Sequence, residues 1–296
     1  MYKRQAFICS IVGLTVGQHL TLVTNPRDIG SFIKILAKRP FHLLPGVNTL
    51  FQAFVSHPDF RKLDFSECKL TVVGGMAATP ETAKRWLEIT GLPILEGWGM
   101  SETLGVGTAN PFDGTEYTGN VGLPLPGVDI SIRNDEDEVL GLNEVGEMCI
   151  KGDNVITTYH NIDNAKFFTA DGYLKTGDIA SMNEQGSIKI YDRKKDMIIV
   201  SGFNVYPNEV ENVIETHLKV AECSVVGIAD KSQGQSVKAY IVKADESLIA
   251  EDIKMLCKEN LAGYKCPRHI EFIDELPKST VGKILRHELR KAANKA

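Results

Sequence analysis

Apolar and polar positions alternate along this chain with two periods, and the changeover marks its organisation. LTLVT (20–24) has the pattern of a strand, and RDIGSFIKILAKR (27–39) that of an amphipathic helix with Ile29, Phe32, Ile33 and Leu36 on one side. GVNTLFQAFVSH (46–57) reads as a second helix. LTVVGG (70–75) reads as a buried strand running into glycines. TPETAKRWLEI follows as a helix, with Thr79 as its cap and Pro80 at its first position, and PILEGWG is the next strand. Strand, helix, strand, helix implies a parallel sheet covered on both faces. From about Thr118 short β-like runs, VDISIR, GEMCIKG and SIKIYD, are separated by Gly, Pro, Asn and Asp, the texture of an antiparallel or barrel-like segment.

After Arg193 helices return in NEVENVIETHL, SLIAEDIKMLCKENL and KILRHELRKAA, with strands AECSVVGIA and SVKAYIVKA between them. Pro207 opens the first of these helices, and Val210, Val213, Ile214 and Leu218 hold its apolar spacing. A boundary falls near Asp192 to Lys195, with a small α+β domain after it. The fold class is therefore α/β, divided into a larger domain over 1–192 and a smaller one over 193–296.

Composition narrows this picture. The 296 residues are 43% hydrophobic and 24% charged, as in a globular protein. A net charge of −5 argues against a nucleic-acid binder. The basic tail, Lys283, Arg286, Arg290, Lys291 and Lys295, reads as a solvated helix face. The six cysteines are scattered without metal-ligand spacing, which fits a reducing cytoplasm. MYKRQ followed by AFICSIVGLTVG imitates a secretory signal. No small-x-small cleavage site follows, and the apolar run is too short to span a bilayer as a helix. It reads as a buried helix.

Several stretches carry groups suited to a nucleotide. In LEGWGMSET (95–103), Trp98 offers a flat face for a purine. Ser101 can donate to a phosphate oxygen, and Glu102 is an oxygen ligand of the type Mg²⁺ takes. Taken alone, the stretch reads as well as a turn with a core tryptophan. VVGGMAA (72–78) would let backbone approach a ligand at Gly74 and Gly75, yet it does not complete a dinucleotide fingerprint. In GYLKTGDIA, Asp178 follows a Thr-Gly turn and could accept from the two hydroxyls of a ribose, or simply make an Asx turn. Arg193 offers a forked donor, and Gly202 allows close passage of a ligand. PKSTVGKILR (277–286) contains a Gly-Lys pair but fails as a P-loop: Pro277 stands where the first glycine belongs, and Ile284 where Ser or Thr belongs.

Together these runs resemble the acyl-adenylate-forming superfamily, and within it the bacterial long-chain fatty acyl-CoA synthetases. The matching runs are TNPRDI, GVNTLF, LEGWGMSE, LKTGD, DRKKDMIIVSGFNVYPNEVE, GYKCP and LPKSTVGKILRHELR. The resemblance implies ATP-dependent ligation of a long-chain fatty acid to CoA: a carboxylate is adenylated at the α-phosphate, and the CoA thiol then attacks the acyl adenylate. It implies the family's fold, with part of a large AMP-binding domain and its barrel-like segment ahead of a small mobile domain. It assigns Lys283 to the carboxylate and α-phosphate, Glu102 to magnesium and Ser101 to phosphate. Gly74, Gly75 and Trp98 go to the adenine site, Asp178 and Arg193 to ribose, and Gly202 to the pantetheine tunnel. Lys195 becomes the hinge about which the small domain turns between the half-reactions, and the glycine before Lys283 gives its loop reach.

Members of the superfamily are about twice this length and carry a Gly/Ser/Thr-rich phosphate loop that nothing here replaces. Met1–Gln5 match nothing in the family. The expectation is a fragment, inactive or nearly so by itself, with the acyl group bounded in part by Met76, Ala77 and Val106. The alternatives are a non-catalytic adenosine-binding module, an aryl or shorter-chain ligase, a luciferase-like oxygenase or a peptide-synthetase adenylation domain. The last is disfavoured because no carrier domain follows Ala296. A nicotinamide dehydrogenase lacks its fingerprint. A cytoplasmic location is expected. Long acyl chains partition into bilayers, so peripheral contact with the inner face of the membrane is expected as well, although no amphipathic anchor stands out.

Overall fold

The structure is a computed structural model and describes residues 11–75, 77–113, 117–279 and 283–293. The chain divides into two compact units. The first comprises Met1–Thr176 with Ala180–Ile190, and the second Gly177–Ile179 with Tyr191–Ala296.

The first unit opens its regular structure with α1 (Ile29–Leu36), capped by the Asp28 carboxylate, which accepts the Ser31 N–H at 3.0 Å. β1 (Leu43–Gly46) leads into α2 (Asn48–Ser56), and β2 (Leu70–Val73) into α3 (Pro80–Thr90). α3 has the expected start, with Pro80 in its first turn and the Thr79 hydroxyl accepting the Thr82 N–H. Gly91 closes it in the left-handed region, at φ +71°, donating to the Leu87 carbonyl. β3 (Leu95–Trp98), β4 (Thr108–Ala109) and β5 (Leu123–Pro124) complete a sheet of order β1-β2-β3-β4-β5. The first three strands are parallel, and β4 and β5 join antiparallel. The helices bury an aromatic cluster beside this sheet. Trp86 and Phe51 meet edge to face at 4.7 Å, and Phe54 stacks on Phe60 at 5.0 Å.

A second sheet takes the order β6 (Val128–Arg133), β7 (Gly146–Gly152), β8 (Leu174–Met182), β9 (Ile188–Arg193). β6 and β7 are antiparallel. Its own core gathers Ile130, Met148, Ile150, Leu174 and Ile188. The sheet is open among the described residues, so the barrel-like texture resolves into a sheet with two edges and not a closed barrel. The division between the units runs through β8 and β9.

The second unit holds β10 (Ile198–Val200), β11 (Phe203–Val205), α4 (Pro207–Ile214), β12 (Val220–Asp230), β13 (Gly234–Lys243), α5 (Ala250–Asn260), β14 (His269–Phe272) and α6 (Arg286–Ala293). The sheet order is β11-β10-β13-β12, with β14 parallel to β13. Val210 and Ile214 of α4 and Ile253 and Cys257 of α5 pack against Val225, Val237 and Ile241.

Four expectations are corrected. The apolar run near the start is helical over 11–15 but not buried where it is described: Ile11, Val12, Leu14 and Val16 are exposed. Its residues 6–10 lie outside the described residues. LTLVT forms no strand, and Leu22 is 78% exposed, since no neighbouring strand among the described residues satisfies its backbone. Leu218 is 97% exposed, because α4 ends at Ile214 and the helical register does not extend to it. The basic tail is not simply a solvated face: Arg286 and Arg290 turn toward carboxylates. Lys295 lies outside the described residues.

Candidate nucleotide site

β2 and β3 are adjacent and parallel, with Val73 opposite Glu96. Gly74–Gly75 and Trp98–Glu102 therefore leave the sheet from neighbouring carboxyl ends, where open α/β sheets bind ligands. Gly74 donates to the Gly46 carbonyl at 3.1 Å, and a side chain there would meet open space. Gly75 has φ +82°, which glycine adopts without strain. Between them and α3 the Ala78 peptide is held at both ends. Its N–H donates to buried Glu96 Oε1 at 2.9 Å, and its carbonyl accepts the Tyr117 hydroxyl at 2.7 Å. Burial pushes the Glu96 carboxyl up to about 7, against the lowering influence of the Ala78 N–H.

After Trp98 the chain makes a tight loop. A Cβ on Gly99 would stand 2.0 Å from the Gly105 carbonyl oxygen, so only glycine fits this return of the backbone. The Met100 N–H donates to the Thr103 hydroxyl, and Ser101–Thr103 form a 3₁₀ turn with Ser101 exposed. Glu102 is fastened from a distant segment. Its carbonyl accepts the Ile156 N–H at 2.9 Å, and its Oε1 accepts the Tyr159 hydroxyl at 3.1 Å. Asn154 donates to the Thr103 and Val106 carbonyls. Burial, followed by the Glu102 charge, raises the Tyr159 phenol to about 12. Trp98 is partly buried and packs on the core of the second sheet, with Gly107 against its ring. A single half-buried carboxylate suits Mg²⁺, which takes one or two protein carboxylates and otherwise water and substrate phosphates.

In the second unit, Asp178 and Arg193 come together: Arg193 Nε lies 2.8 Å from Asp178 Oδ1, and Asp178 is 3% exposed. Asp178 does not follow a turn. It lies within β8, and the positive φ of Gly177, +71°, kinks the strand just before it. Ser201 and Gly202 form the two-residue turn between β10 and β11, both with positive φ, as a type I′ hairpin requires. Lys195 sits in a 3₁₀ turn, Lys194–Asp196. Exposed Lys283 ends a loop closed by reciprocal bonds. Its N–H donates to Ser279 Oγ at 3.1 Å, and its carbonyl accepts the Ser279 N–H at 2.8 Å. The loop's tip, with the glycine proposed to give it reach, lies outside the described residues, as does Met76.

Residues that the motifs did not reveal are Tyr159, Asn154, Glu96 and Tyr117 around the first loops, and the pairing of Arg286 with Asp192. Arg286 and Asp192 stand inside matching runs. Tyr159 and Tyr117 give no local signal.

Adjacent parallel strands thus deliver a Gly-Gly turn and a Trp-Gly-Met-Ser-Glu loop to the same end of the sheet. The sequence matches the AMP-binding enzyme family over residues 4–160 and the AMP-binding enzyme C-terminal domain over residues 209–283, and the chain belongs to that family. It is 46% identical over 278 residues to a long-chain-fatty-acid–CoA ligase of Yersinia pestis, covering 94% of this chain and 50% of that protein. With a long-chain-fatty-acid–CoA ligase of Bacillus subtilis it shares 37% identity over 260 residues, 87% of this chain and 46% of the relative. The chain thus spans about half the length of the curated relatives it matches. Among solved structures, ATP-bound MatB from Rhodopseudomonas palustris superposes with a TM-score of 0.88 at 29% identity, over 98% of this chain and 58% of that one. The o-succinylbenzoate CoA synthetase of Bacillus subtilis, holding its acyl-adenylate intermediate, gives 0.83 at 28% identity, over 98% and 59%.

Proposed function

We propose that the protein acts in ATP-dependent ligation of a long-chain fatty acid to CoA. The observation that carries this reading is the buried Asp178 carboxylate with the Arg193 fork beside it, in a chain whose close relatives are ligases of that name. A carboxylate oxygen of Asp178 accepts from the vicinal hydroxyls of ribose, and Arg193 fixes its orientation. Ser101 donates to a phosphate oxygen. A magnesium ion would be held by Glu102 and the phosphates, and would neutralise charge on the departing pyrophosphate.

The first step joins a carboxylate oxygen of the fatty acid to the α-phosphorus of ATP and releases pyrophosphate. Two anions must approach while negative charge builds on the phosphoryl oxygens, and the Lys283 ammonium offsets both costs. The CoA sulfur then attacks the acyl carbonyl carbon, AMP leaves, and the thiol proton passes to solvent. Gly202 itself offers no side chain to obstruct a pantetheine arm. Lys195 is the pivot that exchanges the Lys283 and Gly202 faces, with residues 1–192 and 193–296 as the moving parts. No described helix is long and apolar enough to cross a membrane. The proposed location is the cytoplasm, with peripheral contact at the membrane's inner face.

The substrate class is tested by equilibrium binding of hydrolysis-resistant acyl-adenosine mimics that differ only in the acyl group. Tighter binding of the long-chain mimic than of an aromatic one is expected. The reverse order would overturn the fatty-acid assignment and favour an aryl ligase.

A further inference from the structure

Two arginines of α6, one helical turn apart, grip the segment that carries Lys195. Arg286 Nη1 lies 3.0 Å from Asp192 Oδ1. Its Nε donates to Glu211 Oε1 at 3.2 Å, and its Nη2 donates to Glu211 Oε2 and to Asn208 Oδ1. Asp192 is buried, and its Oδ2 accepts the Asn208 N–H at 2.8 Å. Asn208 Nδ2 in turn donates to the Tyr191 carbonyl at 3.0 Å. Four residues further along α6, Arg290 Nη1 donates to the Lys195 carbonyl at 3.1 Å, and its Nη2 lies 2.7 Å from Asp196 Oδ1.

The order of these residues in the chain gives the network its meaning. Tyr191 and Asp192 precede Lys195, whereas Asn208, Glu211, Arg286 and Arg290 follow it. A turn of the backbone at Lys195 moves the first group relative to the second. Rotation about the Cα–C bond of Lys195 also swings its carbonyl away from Arg290. The bonds of Asp192 to Arg286 and Asn208, and that of Lys195 to Arg290, therefore belong to one backbone state only. A buried carboxylate cannot give up its partners by degrees, because each intermediate position leaves a charge unpaired away from water. The arrangement is consequently two-state.

We propose that Arg286 and Arg290 form a latch on the hinge segment, holding residues 191–196 in the conformation seen here and opening when Lys195 turns. Both are positioning residues, since neither is placed on substrate. The inference rests on the reading of Lys195 as the pivot. α6 begins three residues after Lys283, so the anchor of the hinge is also the anchor of the lysine loop.

Hydrogen exchange of the whole chain, followed by mass spectrometry, tests the latch without nucleotide. Peptides spanning 190–198 are compared with those of β12 and β13 in the wild type, Arg290→Ala, Arg290→Lys and Asp192→Asn. The Met197 N–H, bonded to the Arg193 carbonyl at 3.1 Å, reports on the turn. Exchange in 190–198 is expected to quicken about ten-fold or more in Arg290→Ala while β12 and β13 keep their protection, with partial recovery in Arg290→Lys. Unchanged rates in 190–198 would overturn the latch. So would quickening spread equally over β12 and β13, which marks ordinary structural ion pairs. If Asp192→Asn does not fold, Arg290→Ala, at a partly exposed site, still decides. Because no nucleotide enters the measurement, its failure leaves the ligase reading untouched, and loss of nucleotide binding leaves the latch standing.

Discussion

The hydroxyl of Tyr159 donates to Glu102 Oε1 across 57 residues of sequence, at 3.1 Å. With the bonds from Ile156 and Asn154 it ties the Ser101–Glu102 turn to a segment that the turn's own residues do not specify. A hydrogen bond to a carboxylate contributes about 1.5–3 kcal/mol net. A double-mutant cycle of Tyr159→Phe and Glu102→Gln, measured by urea unfolding, is expected to give a coupling in that range. Additive single effects would show that the phenol does not hold the carboxylate.

Glu96 makes a pH-dependent contribution with an unusual sign. Burial raises its carboxyl from the ordinary 4.5 to about 7. Between those values the unfolded chain has lost the proton while the folded chain keeps it, so the folded state binds more protons and stability falls as pH rises. Above about 7 both states are ionised and the loss levels off, at about 3 kcal/mol. Glu96→Gln keeps an acceptor for the Ala78 N–H and removes the ionisation. Its stability relative to wild type should rise between about pH 5 and about pH 8 and then flatten. A pH-independent difference would contradict this.

Trp86 is fully buried, edge-on to Phe51 and beside Phe60 at 5.1 Å. Trp86→Ala is expected to cost about 3–5 kcal/mol in urea unfolding followed by circular dichroism. A loss below about 1 kcal/mol would mean that the aromatic cluster refills the cavity.

Where the sequence was legible, a local pattern and a tertiary need agreed. α3 carries its cap, its proline and its terminal glycine within thirteen residues, and it forms as expected. β1 escaped because LLPG is four residues long with a proline, and only its parallel pairing with β2 makes it a strand. LTLVT had the pattern and no neighbour among the described strands. TGD reads locally as a turn, yet the sheet holds it in β8. The same divide runs through the candidate site. Ser101, Glu102, Asp178, Arg193 and Lys283 stand inside recognisable runs. Tyr117, Asn154 and Tyr159 act on residues 39, 51 and 57 positions away, and no window of sequence contains both partners. The basic tail misled for a related reason: helical spacing shows that Arg286 and Arg290 share a face, but not that Asp192, Glu211 and Asp196 lie opposite.

Asp178, with Arg193 2.8 Å away, is the group proposed to receive the ribose of an adenylate. Calorimetry of the chain with a hydrolysis-resistant acyl-adenylate mimic, beside Asp178→Ala, measures this contribution. Losing two hydrogen bonds to a buried carboxylate should weaken binding by at least about 3 kcal/mol, more than a hundred-fold, with Arg193→Lys intermediate. Equal affinity of wild type and Asp178→Ala, both shown to be folded, would rule out Asp178 as the ribose acceptor.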